Sequence, residues 1–264
     1  LRQSAQRGLP KMVKDLIINL IDAKSANAIV KRYHYSGKVV TNSNLHFGVF
    51  KGKALMGAMS FGCPMDKNRA IGLVNNTKWG GMLELNRMAF APSLPKNAES
   101  RCLAIALRII KKKYPNVKWI QTFADCCQCG DGTIYRAVGF YLIAIKKNTT
   151  LRRLENGQIV ANKSLSNKQI NGNYLNSLIK NEPIEGFQIK YIYFLDPEKQ
   201  KDLTVPILPY SEIERRGAKM YLGKKCVSSL KVKQQPHQAE KGGAIPTDTL
   251  QQINGEVFND TKTT

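Results

Sequence analysis

Long apolar runs are missing from this chain. A bilayer-spanning helix needs about 20 consecutive apolar residues, and stretches such as Leu16 to Ile21 fall far short. The N-terminus lacks the charged, apolar, small-residue order of a secretory signal. No segment has the strongly amphipathic face that lays a helix on a membrane, so no membrane partner is expected. Cysteines are also few, six in 264 residues, and three crowd into Cys126-Cys127-Gln128-Cys129, which is no disulfide framework. Structural zinc sites use two separated ligand pairs, and Cys63, Cys102 and Cys226 supply no second pair, so these read as loop thiols. The expected setting is reduced and cytoplasmic.

Acidic residues are the second scarcity. Forty-one Lys plus Arg face nineteen Asp plus Glu, a net charge of +22. From Lys231 onward four lysines balance four acids, so the first 230 residues hold 37 basic and 15 acidic groups and carry the whole excess. A folded body this basic repels itself unless it meets a polyanion, and nucleic acid is the leading partner.

The hydrophobic pattern then sets an order of elements. Residues 1–15 are a basic lead-in. Leu16 to Asp22 reads as a buried strand and Ser25 to His34 as a helix capped by Asp22 or Ser25. Leu45 to Phe50 and Ala54 to Phe61 form a hairpin about Lys51-Gly52-Lys53. Met82 to Phe90 is a strand closed by Pro92 and Pro95. Cys102, Ile105, Ala106, Ile109 and Ile110 make one helical stripe, with Asn97 as N-cap and Lys111 to Lys113 in the last turn. Val117 to Phe123 is a strand, Gly132 to Val138 a helix, and Phe140 to Ile145 and Phe187 to Leu195 are strands. Residues 151–185 read as a polar insertion, Pro206 and Pro209 as the start of an extended arm, and 223–264 as a flexible tail. This is one α/β domain over 16–222, a mixed central sheet flanked by helices, in the order of the acetyltransferase-like GNAT fold.

Five places carry residues suited to chemistry. His34 and Tyr35 sit where the first helix ends, either as a closing turn favoured by the helix dipole or as a metal ligand, base or stacking platform. Arg87 lies within a strand, where burial demands a partner. Strict alternation puts it with Leu85 and Ala89, opposite Glu84, Asn86, Met88 and Phe90. The first turn of the long helix, around Asn97, Glu99 and Ser100, is an anion or cofactor site, although it lacks a glycine-rich phosphate loop. Asp125 ends a strand just before a helix, the place where open α/β sheets bind ligands, and reads as a base, a metal ligand or a turn aspartate. Tyr135 follows on that helix.

Taken in order, Tyr33-His34-Tyr35-Ser36-Gly37, Leu85-Asn86-Arg87-Met88, Leu94 to Ser100, Thr122-Phe123-Ala124-Asp125 and Gly132 to Ala137 resemble the Mom family of bacteriophage DNA-adenine modification proteins. Lys190 to Asp196 and Pro209-Tyr210 are similar to that family's ending. The resemblance implies a GNAT-type enzyme that converts adenine in double-stranded DNA to N6-carbamoylmethyladenine and protects phage DNA from restriction in the host cytoplasm. It implies functional roles for His34, Tyr35, Arg87, Ser100, Asp125 and Tyr135. It also implies an iron (Fe2+) site at His34, Tyr35 and Asp125, and acetyl-CoA as donor. The family pattern often has Gly-His where this chain has Gly130-Asp131. Two other readings compete: an acyl-CoA-dependent N-acyltransferase acting on a protein or small amine, and a non-catalytic DNA-binding module. A homodimer is left open.

Overall fold

In a computed structural model of the chain, residues 15–154, 157, 159–162, 169, 170, 173, 174 and 183–226 are described. They belong to the unit Leu1–Cys226; a second unit, Val227–Thr264, lies outside the described residues. So do the lead-in up to residue 14 and much of the polar insertion, including Lys163 and Lys168.

The elements run β1 (Leu16–Leu20), α1 (Ala23–Tyr33), β2 (Ser43–Lys51), β3 (Ala54–Gly62), α2 (Lys67–Ile71), β4 (Met82–Phe90), α3 (Ala98–Lys113), β5 (Trp119–Asp125), α4 (Thr133–Val138) and β6 (Tyr141–Lys147). The insertion holds two small hairpins, β7 (Leu151–Arg153) with β8 (Ile159–Ala161) and β9 (Gln169–Ile170) with β10 (Asn173–Tyr174). After it come β11 (Phe187–Phe194), α5 (Ser211–Arg215) and a last hairpin, β12 (Met220–Tyr221) with β13 (Lys224–Lys225).

Seven strands form one mixed sheet in the order β1-β2-β3-β4-β5-β11-β6. Only β4 and β5 pair in parallel. The late strand β11 slots between β5 and β6, antiparallel to both. Helices flank the sheet, as the element order led one to expect. On one face α3 buries Cys102, Leu103, Ala106, Leu107 and Ile110 against Phe47, Phe61, Leu85, Ile120 and Ile189. On the other, α1 sets Ala26, Ile29 and Val30 on Ala58 and Ala89. Asp22 caps α1, its carboxylate accepting the Ser25 N–H at 2.8 Å.

Several expectations need correction. The strand β1 is an edge strand, not a buried one: it pairs with β2 alone, and Ile17 stays 54% exposed. The stripe of α3 is rotated toward Leu103 and Leu107, leaving Ile105 and Ile109 only partly buried. The expected arm after Pro209 instead turns into α5 and the β12–β13 hairpin. Among the described residues no helix is long and apolar enough to cross a membrane.

Candidate active site

The parallel pair β4–β5 is joined only over Met82–Glu84 and Trp119–Gln121. Beyond that the strands part, and the Thr122 hydroxyl donates to the Leu85 carbonyl at 3.3 Å where a ladder bond would otherwise run. A cavity of about 970 Å³ opens from this divergence. Its walls come from the turn after α1, from β4, from the first turn of α3, from the end of β5 and its loop, from α4, and from the last hairpin. Segments far apart in sequence thus meet at the C-terminal ends of two parallel strands, where helix N-termini also point.

A β-bulge shapes the β4 wall. Ser60 pairs with Arg87 and Phe61 with Leu85, so Asn86 is the extra residue. The bulge resets the alternation, as an inserted residue must. Leu85, Met88 and Phe90 pack into the α3-side core, while Ala89 joins the α1-side cluster. The expected grouping of Leu85 with Arg87 and Ala89 is therefore wrong. Arg87 comes within electrostatic reach of Glu84, a pairing that strict alternation argues against. Its guanidinium donates to the Lys38 carbonyl at 2.8 Å and to the Asn86 carbonyl at 2.7 Å, so it also holds the segment that follows Tyr35. Burial lowers the Arg87 pKa from its usual value, against the raising effect of Tyr35 and Glu84.

Glu84 is a site residue that pattern reasoning passed over. It accepts from Gln121 Nε2 at 2.7 Å and from Asn86 Nδ2 at 3.2 Å. Burial raises its carboxyl pKa against these hydrogen bonds and against Lys190 and Arg87. A carboxylate one residue from the strand divergence, followed by Arg87 three positions on, was the available signal. The bulge that unites them was not readable.

Asp125 is the last residue of β5 and faces the cavity. Its Oδ1 accepts the Cys127 N–H and its Oδ2 the Gln128 side-chain amide, both at 2.9 Å. Each carboxylate oxygen keeps a further lone pair. The next acid, Asp131, does different work. It caps α4 through the Thr133 N–H at 3.2 Å and pairs with Arg136 at 2.9 Å. Gly132 sits between them with φ 82°, and a Cβ there would meet the Tyr191 ring at 2.4 Å. Only glycine fits that contact and that backbone.

His34 and Tyr35 stack on each other with ring centroids 4.2 Å apart. His34 Nδ1 lies 2.8 Å from Ser36 Oγ and accepts the Ser36 N–H at 3.2 Å, so its proton sits on Nε2. Burial, then the Arg87 charge, lowers its pKa to about 4, and the ring is neutral at pH 7. Tyr35 is 47% exposed at the rim, yet the walls around its hydroxyl raise its pKa by desolvation first and by Asp125, Cys129 and Tyr135 next. The phenol stays protonated and lies within electrostatic reach of Asp125. Tyr135, wedged against Phe140 and Tyr191, has its pKa pushed up to about 12 by burial.

His34, Tyr35, Arg87, Glu99, Asp125 and Tyr135 line the one cavity; Asn97 and Ser100 do not. Asn97 holds the cap position of α3 in left-handed backbone (φ 66°, ψ 11°) without a side-chain cap bond. The Ser100 hydroxyl turns back to the Asn97 carbonyl at 3.2 Å. Lys146, Lys147 and Tyr221 also line the cavity and come from segments with no motif to flag them.

The residues of the implied iron set, His34, Tyr35 and Asp125, line one cavity. His34 Nδ1 is engaged by Ser36, which leaves Nε2 directed elsewhere, and each Asp125 oxygen accepts one loop donor and keeps a lone pair. Among the described residues no three His, Cys, Asp or Glu side chains form a group that could hold a metal ion.

A profile of the Mom protein family matches residues 15–212. The chain is 34% identical over 199 residues to the methylcarbamoylase Mom of Escherichia phage Mu, covering 74% of this chain and 81% of that protein. Among solved structures it is similar to an IAA acetyltransferase from Bacillus cereus, with TM-score 0.41 and 13% identity over 68% of this chain and 99% of that one. It is also similar to the ribosomal-protein-S18-alanine N-acetyltransferase of Escherichia coli, with TM-score 0.41 and 11% identity over 69% of this chain and 94% of that one. By the extent of the family match and by its identity to the phage protein, the chain belongs to the Mom protein family.

Proposed function

We propose that the protein modifies DNA, converting adenine in the duplex to N6-carbamoylmethyladenine and so shielding phage DNA from host restriction. One observation carries this reading: His34, Tyr35, Arg87, Asp125 and Tyr135, drawn from four separate segments, face a single cavity in a chain of net charge +22. Lysines at the rim bind phosphates, and binding then weakens steeply with salt. The target adenine leaves the stack to reach the cavity. Tyr35, half exposed at the rim, is the ring available to stack on it.

Adenine N6 is a poor nucleophile because its lone pair is delocalised into the ring. Asp125 accepts the N6 proton as the new N–C bond forms. The His34 Nε2–H donates a hydrogen bond to the base, and Arg87 fixes the segment that carries His34 and Tyr35. Forming the substituent takes a two-electron oxidant that removes a hydrogen from the methyl carbon and an ammonia-level nitrogen donor that displaces the CoA thiol; the proposed carbon donor is acetyl-CoA. The β4 backbone beyond Leu85, which has no ladder partner on β5, and the uncapped first turn of α3 at Glu99 and Ser100 would hold it.

The test is mass spectrometry of nucleosides from cells expressing the chain. A modified deoxyadenosine is expected, falling about 100-fold or more in Asp125→Ala, the usual size of a lost general base. Unmodified DNA alongside soluble wild-type protein overturns the proposal. Acyl transfer to a protein or small amine without DNA would instead favour the N-acyltransferase reading.

A further inference from the structure

The hairpin β12–β13 docks on the loop that carries Asp125. The Leu222 N–H donates to the Cys129 carbonyl at 2.7 Å and the Gly223 N–H to the Cys126 carbonyl at 3.2 Å. Gly130 forms a β-bridge with Tyr221. The tip is thereby fixed to the site, and two of its residues are large, apolar and open to solvent: Tyr221 is 61% exposed and Leu222 59%.

The turn itself is at odds with its sequence. Leu222 and Gly223 both have positive φ, 50° and 74°. That is the pattern of a two-residue type I′ turn, whose first position favours Asn, Asp or Gly. A γ-branched apolar residue is disfavoured there both by backbone and by exposure. Lys146, Lys147 and Lys219 line the same cavity as Tyr221, and Lys224 follows the tip as an exposed residue; Lys219 is paired to Glu214 at 3.5 Å and Lys225 to Glu185 at 2.7 Å. An apolar tip bonded to the loop of Asp125, on a cavity wall that also carries lysines, complements one kind of partner: a polyanion with an apolar, stacked interior.

We infer that Leu222, backed by Tyr221, is a wedge that enters the DNA duplex and fills the place vacated by the extruded adenine. The inference rests on the proposed function for the extrusion it serves, and Leu222 acts as a positioning residue, since it touches no reacting atom. Proteins that kink or unstack DNA insert Leu, Phe, Ile or Met between base steps in this way.

The experiment uses the full chain and its Leu222→Asn variant, which places the favoured residue in the turn and so keeps the fold. Two readouts are taken: modified deoxyadenosine in cellular DNA, and the fluorescence of 30-base-pair duplexes with 2-aminopurine in place of adenine in varied flanking sequences. The wild type is expected to raise 2-aminopurine fluorescence. Leu222→Asn is expected to lose that rise and at least ten-fold of the modification. Duplex affinity should stay within about three-fold, because phosphate contacts are unchanged. Leu222→Met should restore both signals. A Leu222→Asn protein that modifies DNA like the wild type overturns the wedge and leaves the proposed function standing. A wild type that unstacks 2-aminopurine through Leu222 yet leaves no modified adenine keeps the wedge and removes the proposed chemistry. No rise with the wild type on any duplex overturns the wedge, whatever the modification level.

Discussion

Two strand–helix junctions border the cavity, and they are built in opposite ways. At β4–α3 the cap residue Asn97 stands in left-handed backbone with no side-chain bond to the helix, and Ser100 turns its hydroxyl back on the chain. At β5–α4 almost every group is tied: Asp125 to its loop, Asp131 to Thr133 and Arg136, Gly132 against Tyr191, and the loop to the last hairpin. Free helix N–H groups favour an incoming anion, whereas chemistry needs groups held still before substrate arrives. The first junction leaves helix N–H groups open, and the second holds its carboxylates in place.

The sharpest way to break this contrast is Gly132→Ala. It forces an L-residue to φ 82° and drives a Cβ into Tyr191, so a loss of about 3 kcal/mol is expected from strain and overpacking together. Urea denaturation measures it, and a change under 1 kcal/mol would mean that the tight junction is not needed for stability. Asp131→Ala comes next. It removes a cap and leaves Arg136, 25% exposed at its side chain, without its partner, for a loss of about 2 kcal/mol.

The turn after α1 belongs to neither junction and answers to pH. His34 has a folded pKa of about 4 against an ordinary 6.5, so between those values the unfolded chain binds the extra proton. Stability therefore falls as pH drops from 6.5 toward 4 and is fully present above 6.5. His34→Gln should flatten that part of the profile, measured by chemical denaturation at several pH values. An unchanged slope would show the ring to be solvated. The smallest effect belongs to the loose junction: Asn97→Gly should stabilise by about 0.5 kcal/mol, because glycine tolerates left-handed backbone better. Thermal melting would register it, and a loss there would reveal a contact made by the Asn97 side chain.

Much of the site was legible because its residues interrupt patterns. Asp125 closes a β-branched, aromatic strand, Arg87 breaks an apolar one, and His34-Tyr35 follows a helix whose end is clear. What escaped had no local mark. The bulge at Asn86 depends on the register between β3 and β4. The role of Asp131 as cap and ion-pair partner became visible only with Arg136 beside it. Tyr221 reaches the cavity from more than 80 residues beyond Tyr135.

The sequence alone determined the net charge of +22, the alternation of strands and helices, and the ordered motifs that mark the family, since each is written in the residues themselves. Tertiary structure decided the rest: β11 entering between β5 and β6, Arg87 and Glu84 brought within reach by a bulge, and a strained apolar hairpin fastened beside Asp125. Strand pairing and register follow from which distant surfaces bury each other best, and that balance is a property of the whole core rather than of any one segment.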